Sequence, residues 1–339
     1  METAEINSSA LYSGVRFIRV VLGSWLALGF LHMNRDASGP QKHPLQHGVV
    51  PALWIPTDSC GRLLEQEFIS IIKACVTWGA DGLMVLGTTG EFPHLEVDQR
   101  KRVLEVAQAN SGGLPIMANV SDLRPRVALE LARHSKSLGL DALSLLPPYY
   151  YVLNPADQLE FFLRTAEAAA LPVFLYNFPE RVGYKIGLET IAAFADRAPL
   201  LGIKQSGADF AYHRDLVALG AEKGFSVITG SDTAIPEAVE VGVSGVVSGL
   251  SNGVGDLVVK TFQQVRAGKA RAEIPEASML NEVGGLLGKL EFPYNIAAVT
   301  LARGLPIGEF KILVSSESRS RFELLVEEYR RLFKAWKLL

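Results

Sequence analysis

From Gly48 onward the chain alternates short apolar runs with longer stretches whose apolar residues recur every three or four positions. The runs are GVVPALWIP (48–56), GLMVLG (82–87), LPIMA (114–118), LDALSLL (140–146), LPVFLYN (171–177), LLGIK (200–204), FSVITG (225–230) and SGVVSG (244–249). Between them, segments such as 63–78, 95–110, 124–138 and 155–170 read as amphipathic helices. Runs that are apolar almost throughout imply strands buried on both faces, as in a parallel sheet. Eight strand-helix units over residues 48–267, with no glycine-rich dinucleotide turn after the first strand, predict a closed (β/α)8 TIM barrel rather than an open doubly wound sheet. After Ala267 the pattern is helical, clearest in NEVGGLLGKL and RFELLVEEYRRLFKAWKLL, so residues 268–339 are expected to form a C-terminal helical extension on the barrel.

Residues 1–47 precede this alternation and are expected outside the barrel. Phe17 to Leu31 resembles the apolar core of a signal peptide, with Arg16 and Arg19 before and within it, but no small-x-small cleavage site follows. It is also shorter than the ~20 apolar residues of a membrane span. Residues 1–32 therefore read as an extension upstream of the folded domain, with a weak membrane anchor as the alternative.

Composition narrows the function classes. Of the 339 residues, 48% are hydrophobic and 20% charged, as in an ordinary globular protein. A formal charge of −3 and the lack of a Lys/Arg-rich block argue against nucleic acid as a partner. Cys60 and Cys75 form no CxxC pair and read as reduced thiols, which suits a cytoplasmic location. The six histidines are scattered apart from His43 and His47, and there is no HExxH, so no metal site is expected.

In a barrel of this class the active site lies at the C-terminal strand ends. The residues closing the runs are therefore the candidates: GTTGE after the second, PPYYY after the fourth, YNFPERVG after the fifth, IKQSG after the sixth, TGSD after the seventh and SGLSN after the eighth. Alternation puts Lys204 on the face of Gly202 and Leu200, opposite Ile203 and Leu201, so it points into the barrel mouth if the second set packs on the helices. Desolvation there favours a neutral amine, a nucleophile that makes a Schiff base with a carbonyl substrate. Imine chemistry needs a group that both gives and takes a proton, and Tyr176 closes the adjacent strand. Thr88 and Thr89 lie in a glycine-flanked turn whose N–H groups can converge on a carboxylate. Each has a structural alternative: a snorkelling lysine, a core tyrosine, a tight turn.

GTTGE, PYY, YNFPERVG and GIKQSG, in this order and spacing, resemble the pyruvate-dependent class I aldolases and lyases that include dihydrodipicolinate synthase and N-acetylneuraminate lyase. The resemblance runs from about Gly48 to the C-terminus. It implies that Lys204 carries the pyruvate imine, so that no separate cofactor is needed, and that Tyr176 relays protons. Thr88 would hydrogen-bond that tyrosine, Thr89 would receive the pyruvate carboxylate, and the Val247 backbone would line the pyruvate pocket. In the synthase branch Tyr150 would complete the relay across a dimer interface where Tyr149 packs, making a homodimer or homotetramer the expected state. Arg181 would bind the carboxylate of the second substrate.

Departures from the synthase pattern bear on that second substrate. Phe92 and Pro93 follow GTTGE in place of a small residue, as in aldolases acting on 2-keto-3-deoxy sugar acids or hydroxy-oxoglutarate. Tyr151 and Val152 replace an asparagine and a basic residue, and Gln205 replaces an acidic one, whereas Arg181 favours the synthase side. Aspartate semialdehyde, keto-deoxy sugar acids, 4-hydroxy-2-oxoglutarate and N-acetylneuraminate all remain open. Two rivals stand beside this reading: a non-catalytic small-molecule-binding barrel, and a phosphate-binding barrel using the glycines of GVSGVVSGLSNGVGD.

Overall fold

The computed structural model describes residues 43–339. The segment 1–32, read above as lying outside the domain, falls outside the described residues. Eight parallel strands, β1 (Gly48–Pro51), β2 (Leu83–Val85), β3 (Ile116–Asn119), β4 (Ala142–Leu145), β5 (Val173–Asn177), β6 (Leu200–Gln205), β7 (Ser226–Thr229) and β8 (Gly245–Ser248), pair in the order β1-β8-β7-β6-β5-β4-β3-β2. The ring closes between β1 and β2 through a parallel bridge of Ala52 with Met84 and a 3.0 Å bond from Leu53 N–H to the Met84 carbonyl. The architecture is the (β/α)8 barrel predicted from the alternation.

The strands are followed by α1 (Glu65–Thr77), α2 (Val97–Asn110), α3 (Pro125–Ser137), α4 (Pro155–Ala169), α5 (Pro179–Val182) with α6 (Leu188–Ala195), α7 (Phe210–Lys223), α8 (Ile235–Glu240) and α9 (Ser251–Arg266). Local chemistry sets their ends. Asn154 accepts from Asp157 N–H at 2.9 Å with Pro155 in the first turn of α4, and Asp209 accepts from Tyr212 N–H at 3.0 Å at the start of α7. The first helix begins two residues later than its apolar pattern because the Leu63 N–H is taken by the Gln99 side chain and that of Leu64 by the Pro56 carbonyl.

Packing on the barrel also begins before Gly48. Pro44–Gln46 is a 3-10 turn that buries Leu45 completely, and its Gln46 amide donates to the Leu201 carbonyl at 2.8 Å. A three-residue turn has no periodicity to betray it, so the alternation starts later than the folded body.

Strand register fixes which residues fill the interior. Tyr176 is level with Lys204 and Phe174 with Gly202, so all four point inward, with Met84, Met117 and Ser144 on the same face of their strands. Gly202 is required here: a Cβ would stand 2.5 Å from the Phe174 ring and 2.6 Å from the Ser226 carbonyl. The large ring thus fills the layer beneath Lys204 and supports it from below.

Beyond the barrel lie α10 (Pro275–Leu287), α11 (Tyr294–Ala302) and α12 (Ser316–Ala335). The chain between α11 and α12 returns to the strand-end face. There Trp54 Nε1 donates to the Ile307 carbonyl at 2.8 Å, and Glu309 N–H donates to Thr57 at 2.7 Å. Among the described residues no helix is long and apolar enough to cross a membrane.

Candidate active site

Lys204 is buried at the end of β6, 4% exposed, between its register partners Tyr176 on β5 and Ile228 on β7. Its Nζ stands 3.9 Å from the centroid of the Tyr176 ring and 3.8 Å from Met84 Sδ across the barrel. An aromatic face and a thioether attract an ammonium only weakly. The Tyr176 hydroxyl is 3.1 Å from Thr88 Oγ1. Lysine, phenol and threonine thus form one contact chain at the barrel mouth, drawn from β6, β5 and the turn after β2.

That turn is held under backbone strain. Thr88–Gly90 is a single 3-10 turn bracketed by Leu86 at φ 62° and Glu91 at φ 55°, both left-handed without being glycine. Such a conformation costs about 1–2 kcal/mol per residue. It persists where surrounding contacts over-determine it. At the first end, Asn119 Nδ2 donates to the Leu86 carbonyl at 2.7 Å, while its oxygen accepts from Ser121 Oγ at 2.7 Å. Within the turn Gly90 is obligatory, since a Cβ would stand 2.9 Å from the Leu53 carbonyl and 2.7 Å from the Ile55 side chain. Thr89 is buried, with its Oγ1 facing Gly249 after β8.

Asp232 on the loop after β7 joins this group. Its Oδ2 accepts from the Gly249 and Leu250 N–H groups at 3.2 and 3.3 Å, while Oδ1 is sealed from solvent without a partner. Burial pushes its carboxyl up to about 6, against the opposing pull of the Ser248 hydroxyl, of those two N–H donors and of the Lys204 charge. TGSD closes the seventh run just as IK closes the sixth, so strand-end position was the available signal. The sequence reading assigned Asp232 no role because one carboxylate in a small-residue turn has no pattern to distinguish it.

The remaining sequence candidates fall into two groups. Val247 on β8 is buried and faces the interior, as does its register partner Val50. Arg181, on the short helix directly after β5, is exposed and lies over the Phe292 ring at 5.2 Å, with no hydrogen bond to the lysine, tyrosine or threonine. Tyr150 is 81% exposed at φ 79°, and its ring packs edge-on against Tyr151 at 4.9 Å. The single chain does not bring it to Tyr176.

The departures also acquire locations. Phe92 is buried edge-on to Tyr149 at 6.2 Å and beneath the Arg100 guanidinium at 5.2 Å, so it shapes the mouth between the turns after β2 and β4. Gln205 lies on the outer face of β6, where its oxygen accepts from Asn177 Nδ2 at 2.6 Å, away from the interior. That replacement ties β6 to β5 and leaves the barrel mouth untouched.

The model of the dihydrodipicolinate synthetase family matches residues 45–324. A DapA-like lyase of Halobacterium salinarum is 30% identical over 266 residues, 78% of this chain and 87% of that protein. The 4-hydroxy-tetrahydrodipicolinate synthase of Methanothrix thermoacetophila is 30% identical over 60% of this chain and 69% of its own. Among solved structures, a prophage protein of the dihydrodipicolinic acid synthase family from E. coli K12, in complex with pyruvate, superposes with a TM-score of 0.79 at 24% identity, covering 85% of this chain and 99% of its own. Ruminococcus gnavus sialic acid aldolase gives 0.78 at 22% identity, over 87% and 99%.

Proposed function

This chain belongs to the dihydrodipicolinate synthetase family and is a carbon–carbon lyase, and from that premise we propose that it makes or breaks its bond through a pyruvate imine on Lys204. The observation that carries the reading is the contact chain from the buried Lys204 amine to the Tyr176 ring, and from its hydroxyl to Thr88. The neutral amine attacks C2 of pyruvate, and the resulting carbinolamine loses its hydroxyl as water to leave a protonated imine. Loss of a methyl proton gives an enamine whose carbon attacks an aldehyde. The new alkoxide takes up a proton, and water hydrolyses the imine to release product and restore the amine. In reverse, a 2-keto-3-deoxy acid is cleaved to an aldehyde and pyruvate.

Tyr176 moves these protons, with Thr88 holding its hydroxyl in place. Thr89 and the N–H groups of its turn receive the pyruvate carboxylate, and the Val247 backbone lines the pyruvate pocket. The iminium draws off the electron pair, so the reaction needs no separate cofactor. Tyr150 serves the site of a second copy of the chain. An apolar groove of about 440 Å³ beside it, lined by Leu123, Tyr149, Tyr151, Leu153 and Phe161, supports a homo-oligomer packed on this face.

Phe92, buried against Tyr149 at the barrel mouth in place of a small residue, favours a keto-deoxy sugar acid as the second reactant. Aspartate semialdehyde is the second reading, with Arg181 as its carboxylate partner.

Pyruvate followed by borohydride should leave a reduced, irreversible adduct, and peptide mapping should find it on Lys204. No adduct, or one on another lysine, refutes the imine. Pyruvate release from keto-deoxy sugar acids, 4-hydroxy-2-oxoglutarate and N-acetylneuraminate, set beside aspartate-semialdehyde consumption, then decides the second reactant.

A further inference from the structure

The strained turn that bears Thr88 and Thr89 is pinned at its second end by the C-terminal region. Glu91, left-handed at φ 55°, buries its carboxylate almost completely. Lys311 Nζ is 3.0 Å from Oε2, the Tyr294 hydroxyl donates to Oε1 at 3.0 Å, and His94 Nδ1 lies 3.5 Å from the same oxygen. Lys311 is as buried as its partner. It also donates to the Ile55 carbonyl at 2.7 Å and lies 4.6 Å from the Trp54 ring centroid. Burial pulls the Lys311 ammonium down from its usual range, while Glu91 holds it up.

Both carboxylate oxygens are thus occupied by residues from other parts of the chain, so Glu91 is spoken for before any substrate arrives. It also immediately follows the turn whose N–H groups are read as receiving a carboxylate. We infer that Lys311 is a positioning residue for pyruvate binding, acting through Glu91 to hold the Thr88–Gly90 turn in its strained form. The inference rests on the pyruvate reading above and goes beyond it, because Lys311 lies in the connection between α11 and α12 and touches no reacting group.

The physical argument is one of over-determination. A buried carboxylate without its counter-charge is costly and turns toward water. Once the Glu91 side chain swings out, only the local bonds from Glu91 N–H to Thr88 and from His94 N–H to Glu91 still hold its backbone, and the turn relaxes toward ordinary geometry. The N–H groups and the Thr89 hydroxyl then lose their common focus. The competing view is that Lys311 merely fastens the C-terminal region to the barrel. In that case its loss lowers the melting temperature without changing affinity for pyruvate.

The test uses the full chain and reads the pyruvate concentration giving half-maximal borohydride trapping on Lys204, together with kcat and KM. Lys311→Met is expected to raise half-saturating pyruvate and KM about tenfold, equivalent to about 1.4 kcal/mol. Trapping at saturation should stay complete, and Lys311→Arg should restore most of the affinity. A folded Lys311→Met protein with unchanged half-saturation, or with kcat lowered at constant KM, overturns the inference. Should Lys311→Met fail to fold, Tyr294→Phe removes a single donor from Glu91. It is expected to raise half-saturation in the same direction, and unchanged affinity there overturns the inference equally. Wild-type protein that forms no adduct sinks the imine itself, and this inference with it.

Discussion

The turns that follow β2 and β4 both carry a non-glycine residue with positive φ, and their surroundings are opposite. Around Thr88–Gly90 the irregular residues Leu86 and Glu91 are tied down by Asn119, Lys311 and Tyr294, all within the same chain. Around Tyr149–Val152, Tyr150 holds φ 79° in solvent, and Tyr151 and Val152 beside it are each 74% exposed. Strain of this kind persists where the environment enforces it. The first turn is enclosed by its own chain, whereas the second lies open to solvent. The comparison separates the part of the site that one chain assembles from the part for which we propose a second copy.

The largest expected effect lies in the completed half. Lys204→Arg should abolish both the borohydride adduct and turnover while leaving the circular dichroism unchanged, because a guanidinium stays protonated and cannot attack a carbonyl. Residual adduct would move the chemistry to another lysine and make the barrel-mouth contacts incidental.

Next come the two tyrosines, one from each half. Tyr176→Phe and Tyr150→Phe should each lower kcat by roughly 10² to 10⁴, the range of general acid–base groups. Mixing the two inactive variants under subunit exchange should restore part of the activity, since some hybrid dimers carry one intact pair. Demonstrated exchange without recovery would erase the distinction between the two turns.

The pin at the first end of the completed turn is smaller in effect. Asn119→Ala deprives the Leu86 carbonyl of its donor and the buried Ser121 hydroxyl of its acceptor, which should cost about 2–4 kcal/mol in chemical denaturation. A loss below 0.5 kcal/mol, about the scatter of surface substitutions, would show that the turn holds itself.

The smallest effect is a pH dependence. The Asp232 carboxyl stands at about 6 in the fold, against a reference value of 3.8. A carboxyl raised in this way binds its proton more tightly in the folded state, so its contribution to stability is lost as pH rises from about 4 to about 6. Asp232→Asn keeps an acceptor for the Gly249 and Leu250 N–H groups but cannot ionise. Its stability relative to wild type should climb across that window by at most about 3 kcal/mol and level off above about pH 7. A flat difference would mean that Asp232 is not held out of water.

Much of the molecule was legible because its information is local. Apolar runs of strand length, punctuated by helix-period segments, demand burial on both faces, and eight of them close a ring. The same alternation put Lys204 inward, with Gly202 beneath it, and placed Tyr176 on the neighbouring strand end. Thr88 and Thr89 stood out because a glycine-flanked hydroxyl pair at a strand end has a distinctive composition. The turn at Pro44–Gln46, Asp232 and the pins on Leu86 and Glu91 carried no comparable mark.

By itself, then, the sequence determined the barrel and the placing of Lys204, Tyr176 and the Thr88–Thr89 turn at its strand ends, because those follow from period, burial and adjacency along the chain. Tertiary structure alone decided which polar groups share a buried space. Glu91 meets Lys311 across a sequence separation of 220, and Asp232 meets the backbone of Gly249 only because β7 and β8 end side by side. Buried ion pairs and strained turns depend on distances that no periodicity encodes, and their energetics come from exclusion of water, which exists only once the chain has closed around them.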